Sequence, residues 1–341
     1  MEVVRSLTSG TIFLPVTESS QVGEARRRVV EMAIDLDFDD VSKGEAALVA
    51  TELASNLLKH ATNGGALFIS RTAGDRNDIE LICVDKGPGF ANFDTIVADG
   101  FSTAGSLGHG LGSVKRLSSL FDWYSLPGKG TTMACRLSSQ RNRGEKNWPP
   151  TAAISIPKRG EPVCGDSWGV MCESTHVVAS VADGLGHGLE ASEASLAAIR
   201  HVFLDLQRPP SSIMSSVHRQ LRGTRGAAVA IGRVNLNDDS MIFCGLGNIT
   251  TTLCNEDGRQ QLISHDGTAG FQAQRIRDYE YKTSGYSILV MQSDGCSTRW
   301  NLSNYPGLLR HSAAVICGTL FRDSAKTIDD ATLLVIKDLH S

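Results

Sequence analysis

A short polar segment, SSQRNRGEKNWPP, divides this 341-residue chain into two parts of different texture. The segment covers residues 138–150, mixes both charges and ends in a Pro-Pro pair. That composition is typical of a linker, because it neither offers an apolar face to bury nor continues a helix. A chain of this length also favours two domains over one. We therefore predict a first domain over residues 1–138, a linker over 139–150 and a second domain over 151–341.

Composition excludes several classes of function. The net charge of -4 and the pI near 6.1 argue against a nucleic-acid-binding protein, which needs a clustered basic surface. The apolar runs are far shorter than the roughly 20 residues that span a bilayer, and the first residues lack a signal-peptide pattern. The 8 cysteines form no CxxC pair, so we expect buried free thiols. The sequence therefore predicts a cytoplasmic protein that binds neither nucleic acid nor a membrane.

The order of predicted elements differs between the two parts. In the first, helices are expected over 23–36, 42–61 and 111–121, with strands over 66–71, 79–85 and 131–137, which is an α+β pattern. In the second, two helices over 190–206 and 210–221 interrupt strands over 177–182, 226–234, 240–245, 287–292 and 332–337. Such a pattern is typical of a layered sheet with helical covers. The fold class is thus α+β with two domains.

Polar residues recur on one face of the second predicted helix. Glu52, Asn56 and His60 are spaced at i, i+4 and i+8, so they project from the same side of the helix. A polar line on an amphipathic helix is most often a solvated face. Downstream, however, an apolar strand leads into Asp85 and then Gly87-Pro88-Gly89. A carboxylate at a strand end beside glycines suits an exocyclic amine such as that of adenine.

A glycine-rich stretch, STAGSLGHGLGSVKRL, then precedes a predicted helix. Backbone N–H groups at such a helix start can bind phosphates, and the helix dipole favours their negative charge. One glycine-rich loop is weak evidence on its own. The three elements in this order predict a pocket for ATP.

This order resembles the GHKL superfamily of gyrase, heat-shock chaperones, histidine kinases and MutL. The run from Asp99 to Met133 resembles the RsbT type of serine kinase in particular. The resemblance implies a Bergerat ATP-binding α/β sandwich in which Asn56 ligates Mg2+, Glu52 is the general base or orients water, and Asp85 binds adenine. It also implies residues that close over the nucleotide or support its adenine side: Gly87, Gly89, Gly108, Gly110, Gly112 and Thr131.

Acidic residues recur beside glycines and strands in the second part. Asp166 follows Cys164-Gly165, Asp183 and Asp294 each follow an apolar run and precede a glycine, and Asp329-Asp330 precede the strand ATLLVIK. A single Asp-Gly pair is most often a turn. Carboxylates that converge from several strand ends suit Mg2+ or Mn2+ instead. Two such ions acidify a bridging water for attack on a phosphate monoester.

This arrangement resembles the PPM-type metal-dependent serine phosphatases, in the SpoIIE/RsbX branch. The resemblance implies an αββα fold and a site for two Mn2+ or Mg2+ ions. Asp183 would bridge the ions, Gly184 would offer its carbonyl, and Asp166, Asp294 and Asp329 would complete the site. Asp330 is the alternative to Asp329 as a ligand. His187 is either a general acid near the leaving oxygen or a structural loop residue.

Together these resemblances imply a bacterial signalling enzyme that fuses a serine kinase to a phosphoserine phosphatase. The implied partners are STAS-domain regulators of the anti-anti-sigma or stressosome kind in a stress response, with a sigma factor or a downstream regulator as a further partner. Two alternatives stay open. The first domain could be a nucleotide-gated binding module that transfers no phosphate, or ATP could regulate the phosphatase in cis.

Overall fold

The structure, a computed structural model, describes residues 4–7, 10–62, 64–72, 78–90, 107–139, 150–173, 175–326 and 328–339. Most of the predicted linker, residues 140–149, lies outside this range, and the domain boundaries stay a prediction. In the described part of the chain, no helix is both long and apolar enough to cross a bilayer.

The first half forms one antiparallel sheet covered by helices. The sheet has five strands. An apolar core between the sheet and the helices is built from residues such as Leu53, Leu57 and Leu81. The strands are β2 (Ile12–Val16), β3 (Gly65–Arg71), β4 (Ile79–Asp85), β5 (Leu120–Leu126) and β6 (Gly130–Leu137), and their order in the sheet is β2-β3-β4-β6-β5. The helices are α1 (Ser20–Asp35), α2 (Asp40–His60) and α3 (Leu107–Leu117).

Local chemistry fixes the start of α2, the helix that carries the first predicted site. Asp39 precedes the helix in an extended conformation, and its carboxylate accepts a hydrogen bond from the Ser42 N–H at 2.9 Å. This contact satisfies one of the N–H groups that the first turn of a helix leaves without a partner. The same hydrogen bond lowers the pKa of Asp39.

The second half contains two sheets stacked face to face. One sheet has seven strands and the other has five. The strands of the first sheet are β1 (Val4–Leu7), β8 (Asp166–Cys172), β9 (His176–Gly184), β10 (Ala227–Asn235), β11 (Ser240–Leu246), β14 (Ser264–His265) and β17 (Tyr279–Lys282), in the order β1-β8-β9-β10-β11-β14 with β17 also paired to β11. The strands of the second sheet are β7 (Thr151–Ile156), β12 (Thr250–Cys254), β13 (Arg259–Gln261), β18 (Ile288–Gln292) and β19 (Ala331–Lys337), in the order β13-β12-β18-β19-β7. A separate hairpin joins β15 (Gly267–Thr268) to β16 (Gln272–Ala273).

Helices cover the outer faces of this sandwich. The core between the two sheets includes Val181, Phe243 and Leu289. The first sheet is covered on its other face by α4 (Leu189–Val202) and α5 (Pro210–Gln220). The second sheet is covered by α6 (Ala313–Ser324). The expected αββα layering is confirmed.

Helix α6 belongs to a core that both halves share. The same apolar cluster joins α6, strands β7, β18 and β19 of the second half, and Phe68, Ile82 and Tyr124 of the first half. Phe321 on the helix stacks edge-on against Phe68 with ring centroids 5.4 Å apart. The two halves are therefore packed together through a buried helix.

The chain also crosses between the halves at its start. Strand β1 pairs antiparallel with β8, placing Val4 opposite Cys172. A segment from the predicted first domain therefore extends the sheet that carries Asp166 and Asp183.

Two differences from the sequence patterns have physical reasons. The helix expected over 111–121 occupies Leu107–Leu117, and residues 120–126 form β5, because the β-rich run FDWYS pairs with β6. Helix α6 was not predicted at all. It is buried around almost its whole circumference, so no continuous polar face marks it as a surface helix.

Candidate functional site

The first candidate site lies along the polar face of α2. Asn56 is only 8% exposed, and its amide nitrogen has no hydrogen-bond partner among the described residues. Glu52, one turn earlier, lies against α3, because a Cβ on Gly110 would collide with its carboxylate. The two side chains that the sequence singled out therefore lie one turn apart on α2, and Glu52 contacts the glycine-rich helix. The place where these two residues meet α3 is called the recess below.

Asp85 ends β4 beside the C-terminal end of α2, because a Cβ on Gly87 would lie close to both the Asp85 carboxylate and the His60 carbonyl. Its Oδ1 accepts a hydrogen bond from the Gly87 N–H at 2.7 Å. Burial raises the pKa of Asp85, while the N–H groups of Gly87 and Thr131 oppose that shift. Asp85 thus combines a fixed orientation with a buried acceptor, as recognition of an amine requires.

Glycines allow backbone segments to approach closely around Asp85. Gly89 has φ +65°, and a side chain there would strike the carbonyl of Leu126. Thr131 is buried, and its hydroxyl lies 2.9 Å from that of Ser125. Thr131, the residue predicted to support the adenine side, is therefore held within the β5–β6 hairpin.

The other three predicted glycines do not lie in a loop. Gly108, Gly110 and Gly112 all fall within α3, which begins at Leu107 rather than at residue 111. The part of the glycine-rich stretch before Leu107, with Gly105, lies outside the described residues. The glycines therefore place the first turns of a helix, rather than a preceding loop, beside Glu52.

His60, the third residue of the polar face, closes the same end of α2. Its Nε2 is buried and has no partner among the described residues. Burial lowers the pKa of His60, and nearby Lys59 lowers it further, against the opposing charge of Asp85. A neutral imidazole therefore borders the carboxylate that is expected to bind adenine.

The second candidate site is an acidic cleft in the second half. Asp166 and Asp183 are directly opposite each other on the antiparallel strands β8 and β9. A cleft of about 490 Å³ is lined by Asp183, Asp294 and Asp329. Gly184 follows Asp183 where the strand contacts α4, and a side chain there would strike the carbonyl of Ala191. Strand pairing therefore brings together acids that lie far apart in the sequence.

Burial and mutual repulsion raise the pKa values of the acids at this cleft. Burial, together with the charges of Asp166, Asp294 and Asp329, raises the pKa of Asp183 to about 9. Burial also raises the pKa of Asp166 to about 7, although hydrogen bonds from Ser293 and Thr332 oppose it. The pKa of Asp294 is raised by burial and by Asp329. Such crowding is unfavourable unless cations share the site.

The tandem aspartates have different surroundings. Asp329 lines the cleft with Asp183 and Asp294, whereas Asp330 does not. Asp330 is buried, and its Oδ1 accepts a hydrogen bond from the Lys158 N–H at 2.8 Å. Asp329 stays the predicted ligand, whereas Asp330 holds the backbone at Lys158 and keeps its buried Oδ2 without a partner among the described residues.

His187 lies at the mouth of the cleft. Its Nδ1 is 2.6 Å from the carboxylate of Glu161, and its side chain is 48% exposed. Glu161 fixes the ring through one nitrogen and leaves Nε2 for an incoming group.

Comparison with known proteins assigns both halves. Residues 44–141 match the family of histidine kinase-, DNA gyrase B- and HSP90-like ATPases. Over 107 residues the chain is 34% identical to the serine/threonine-protein kinase RsbT of Bacillus subtilis (strain 168), covering 31% of this chain and 80% of that protein. Residues 173–338 match the stage II sporulation protein E (SpoIIE) family.

The phosphatase half has relatives of similar coverage. It is 26% identical over 148 residues to the phosphoserine phosphatase RsbX of Bacillus subtilis (strain 168), which is 42% of this chain and 73% of that protein. A crystal structure of RsbX in complex with magnesium has the same fold, with a TM-score of 0.51 and 22% identity over 57% of this chain and 97% of that one. The chain joins an RsbT-like GHKL domain to a SpoIIE-type phosphatase domain.

The phosphatase domain fits the divalent cations that its family uses. Asp166 keeps one buried oxygen, Oδ1, without a partner among the described residues, while Oδ2 accepts from Ser293 at 2.7 Å. Within that same range, no three His, Cys, Asp or Glu side chains form a ready-made cage. Mg2+ typically binds one or two carboxylates and keeps several waters, so an open set of carboxylates is consistent with it.

In the GHKL domain, an unpartnered amide rather than a set of carboxylates fits the cation that accompanies a nucleotide. Its buried Asn56 amide retains an unpartnered polar atom beside Glu52. Rotation of an amide exchanges its nitrogen and oxygen, so the group can present an acceptor to a cation held by phosphates. ATP with Mg2+ therefore suits this recess, while the roles of individual residues stay predictions.

Sequence patterns missed the residues that hold the predicted ones in place. Asn248 donates to Asp294 at 2.7 Å, Ser293 donates to Asp166, and Glu161 pairs with His187. Ser293 directly precedes Asp294, and this adjacency was the available signal. Glu161 and Asn248 lie in loops whose approach to the cleft depends on the tertiary fold.

Proposed function

We propose that this protein both adds phosphate to and removes phosphate from a serine of STAS-domain regulators in a sigma-factor partner-switching system. The observation that carries the proposal is that one packed molecule joins two candidate sites: the place where Glu52 and Asn56 meet α3, and the cleft of Asp183, Asp294 and Asp329 with Asp166 on the neighbouring strand. The RsbT and RsbX relatives support opposed serine chemistry. One chain that carries both sites would raise the local concentration of each at a shared partner.

The surface around the acidic cleft supports a protein substrate. Leu185 and Leu189 flank His187 and are 55% and 63% exposed. Exposed apolar residues beside a reactive site are typical of protein–protein contact. A phosphoserine on a folded STAS domain could therefore dock against this rim while its phosphate enters the cleft.

The chain's own residues would organise phosphate removal. Asp166, Asp183, Asp294 and Asp329, with the carbonyl of Gly184, would hold two Mn2+ or Mg2+ ions, which supply an acidified water and neutralise the phosphate. Ser293 and Asn248 keep two of these carboxylates oriented through their hydrogen bonds. Glu161 orients His187, whose Nε2 would donate a proton to the leaving serine oxygen.

Phosphate transfer in the other half depends on positioning. Asp85 would bind the adenine amine, and Asn56 would ligate the Mg2+ that accompanies the phosphates. Glu52 would accept the proton of the attacking serine hydroxyl, and the position of its carboxylate against Gly110 holds it within the recess. The α3 dipole at the glycine-rich helix start would favour the phosphate charge.

The kinase part of the proposal is tested with a chain that cannot remove phosphate. Asp183→Asn protein is incubated with labelled ATP, Mg2+ and a STAS-domain protein, and compared with Asp183→Asn/Glu52→Ala protein. Label should appear on a serine with the first protein and not with the second. Nucleotide binding without transfer in both would contradict the kinase role and favour a nucleotide-gated binding module.

A further inference from the structure

Helix α6 lies between the nucleotide-binding sheet and the phosphatase sandwich. A side chain at Gly318 would strike Ile82 and Thr132, so the helix touches β4 and β6 closely at this position. One residue later, the Thr319 hydroxyl donates to the Thr132 hydroxyl at 3.0 Å. The other side of α6 packs on β18 and β19. There the Cys317 Sγ–H donates a hydrogen bond to the carbonyl of Leu333 in β19.

The last turn of α6 reaches the nucleotide pocket. Arg322 Nη1 donates to the backbone carbonyl of Asp85 at 3.3 Å, and the arginine side chain is only 3% exposed. Two further nitrogens of Arg322 hold both oxygens of Asp323 at 2.8 Å, and Tyr305 donates to the same carboxylate at 3.0 Å. The guanidinium is therefore locked in place by the phosphatase half while it contacts the residue expected to bind adenine.

The charge of Arg322 also reaches the Asp85 carboxylate. It acts against the burial that raises the pKa of Asp85, together with the N–H groups of Gly87 and Thr131. A cation at this place favours the ionised carboxylate, the form that accepts hydrogen bonds from an amine.

The last residue of α6 and the segment after it contact the backbone at residues 294–297, which carries Asp294 of the metal cleft. The Ser324 carbonyl accepts from Ser297 at 2.8 Å. The Lys326 N–H donates to the Gly295 carbonyl at 2.8 Å, and its Nζ donates to the Asp294 carbonyl at 2.6 Å. Only three residues of one continuous segment therefore separate Arg322, which contacts Asp85, from Lys326, which contacts Asp294.

We propose that Arg322 is a positioning residue for Asp85 and that, through it, α6 couples nucleotide occupancy to the metal cleft. This inference rests on the proposed binding of ATP beside Asp85. Nucleotide that fixes Asp85 would also fix Arg322 and the segment to Lys326, and so the loop that presents Asp294. Because coupling between two binding equilibria is reciprocal, cations in the cleft would alter nucleotide affinity by the same factor.

The first measurement is direct nucleotide binding. A fluorescent, non-hydrolysable ATP analogue is titrated with Mg2+ into the full chain, and wild type is compared with Arg322→Ala and Arg310→Ala. Arg310 lies in the same half, and its side chain is 81% exposed, so it is the matched control. We expect about tenfold weaker binding for Arg322→Ala and wild-type binding for the control. Equal affinities in all three proteins would overturn the positioning role.

The second measurement is the Mn2+ dependence of p-nitrophenyl phosphate hydrolysis, with and without the saturating analogue. Wild type should show a shift of roughly fivefold or more in the apparent Mn2+ constant, whereas Arg322→Ala with the analogue bound should show none. Asn56→Ala protein measures the part of any shift that comes from chelation of Mn2+ by the analogue.

Lys326→Ala provides a second variant that leaves the contacts at Asp85 untouched. It should bind the analogue as wild type does and should lose the shift. An unshifted Mn2+ constant in wild type with bound analogue would refute the coupling while leaving the proposed function intact. Failure of wild type to bind the analogue would refute both, and loss of hydrolysis alone would refute only the phosphatase assignment.

Discussion

The two candidate sites handle phosphate with opposite electrostatic designs. The recess beside Glu52 and Asn56 offers backbone groups, a buried amide and a helix start, with Asp85 held by N–H donors. The cleft lined by Asp183, Asp294 and Asp329 instead gathers aspartates whose pKa values are raised by burial and by neighbouring carboxylates. The first site is ready for an anion, whereas the second needs cations before an anion can enter. Removal of one group should therefore have different consequences in each.

The largest effect is expected in the acidic cleft. Asp183→Asn removes the carboxylate at the centre of the set and should lower phosphatase activity about a thousandfold, because the cations contribute several kcal/mol of charge stabilisation. The variant should still bind the ATP analogue. Initial rates on a phosphoserine STAS protein with Mn2+ provide the measurement, and a loss of less than tenfold would contradict the central place of Asp183.

A smaller effect separates proton donation from metal chemistry within the same cleft. His187→Ala should slow hydrolysis of a phosphoserine substrate about a hundredfold, because a serine leaving group needs a proton. The same variant should hydrolyse p-nitrophenyl phosphate nearly as fast as wild type, since nitrophenolate leaves without protonation. His201→Ala is the control, because His201 pairs with Ser216 outside the cleft lining. Equal losses on both substrates would indicate a structural role for His187.

In the nucleotide recess, loss of one ligand should weaken binding without affecting the other chemistry. Asn56→Ala is expected to reduce affinity for the Mg2+-bound ATP analogue by about ten- to a hundredfold. Its phosphatase rate, measured without nucleotide, should equal that of wild type. Unchanged affinity in a fluorescence titration would remove Asn56 from the site.

The smallest expected effect concerns stability rather than rate. Asp183 and Asp166 have raised pKa values when folded, so the native protein holds protons that the unfolded chain has already released near pH 4. Stability of the metal-free protein should therefore fall as pH rises through about 7 and 9. We expect a decrease in Tm of roughly 5 °C between pH 5.5 and 8.5, and a smaller decrease for Asp183→Asn.

Added Mn2+ binds the deprotonated carboxylates, so its stabilising effect should grow with pH. Scanning calorimetry with and without Mn2+ tests this prediction. A metal effect that is the same at both pH values would show that the acids are not crowded as the structure indicates.

Much of the molecule follows from local sequence patterns. The spacing of Glu52 and Asn56 predicts a shared helix face, and Asp183-Gly184 and Asp294-Gly295 predict acids at strand ends. Both are local features, because they depend on helix period and on the residues that end a strand. The two families and the layered folds follow from the order of these features.

The contacts between the halves could not be predicted in this way. Helix α6 has no continuous polar face because both its sides are buried. Arg322 meets Asp85 from more than two hundred residues away in sequence. Strand β1 is likewise too short to predict its partner β8. Each of these features is set by packing between distant segments, which leaves no local periodic signal.

The most direct test of the account asks whether both halves act on the same serine. A STAS-domain protein is treated with Asp183→Asn protein and ATP, and the phosphorylated site is mapped by mass spectrometry. That product is then given to Asn56→Ala protein with Mn2+ and mapped again. The account predicts that one serine gains phosphate in the first step and loses it in the second. Phosphate that appears on no serine, or on a serine that the second protein leaves unchanged, would contradict it.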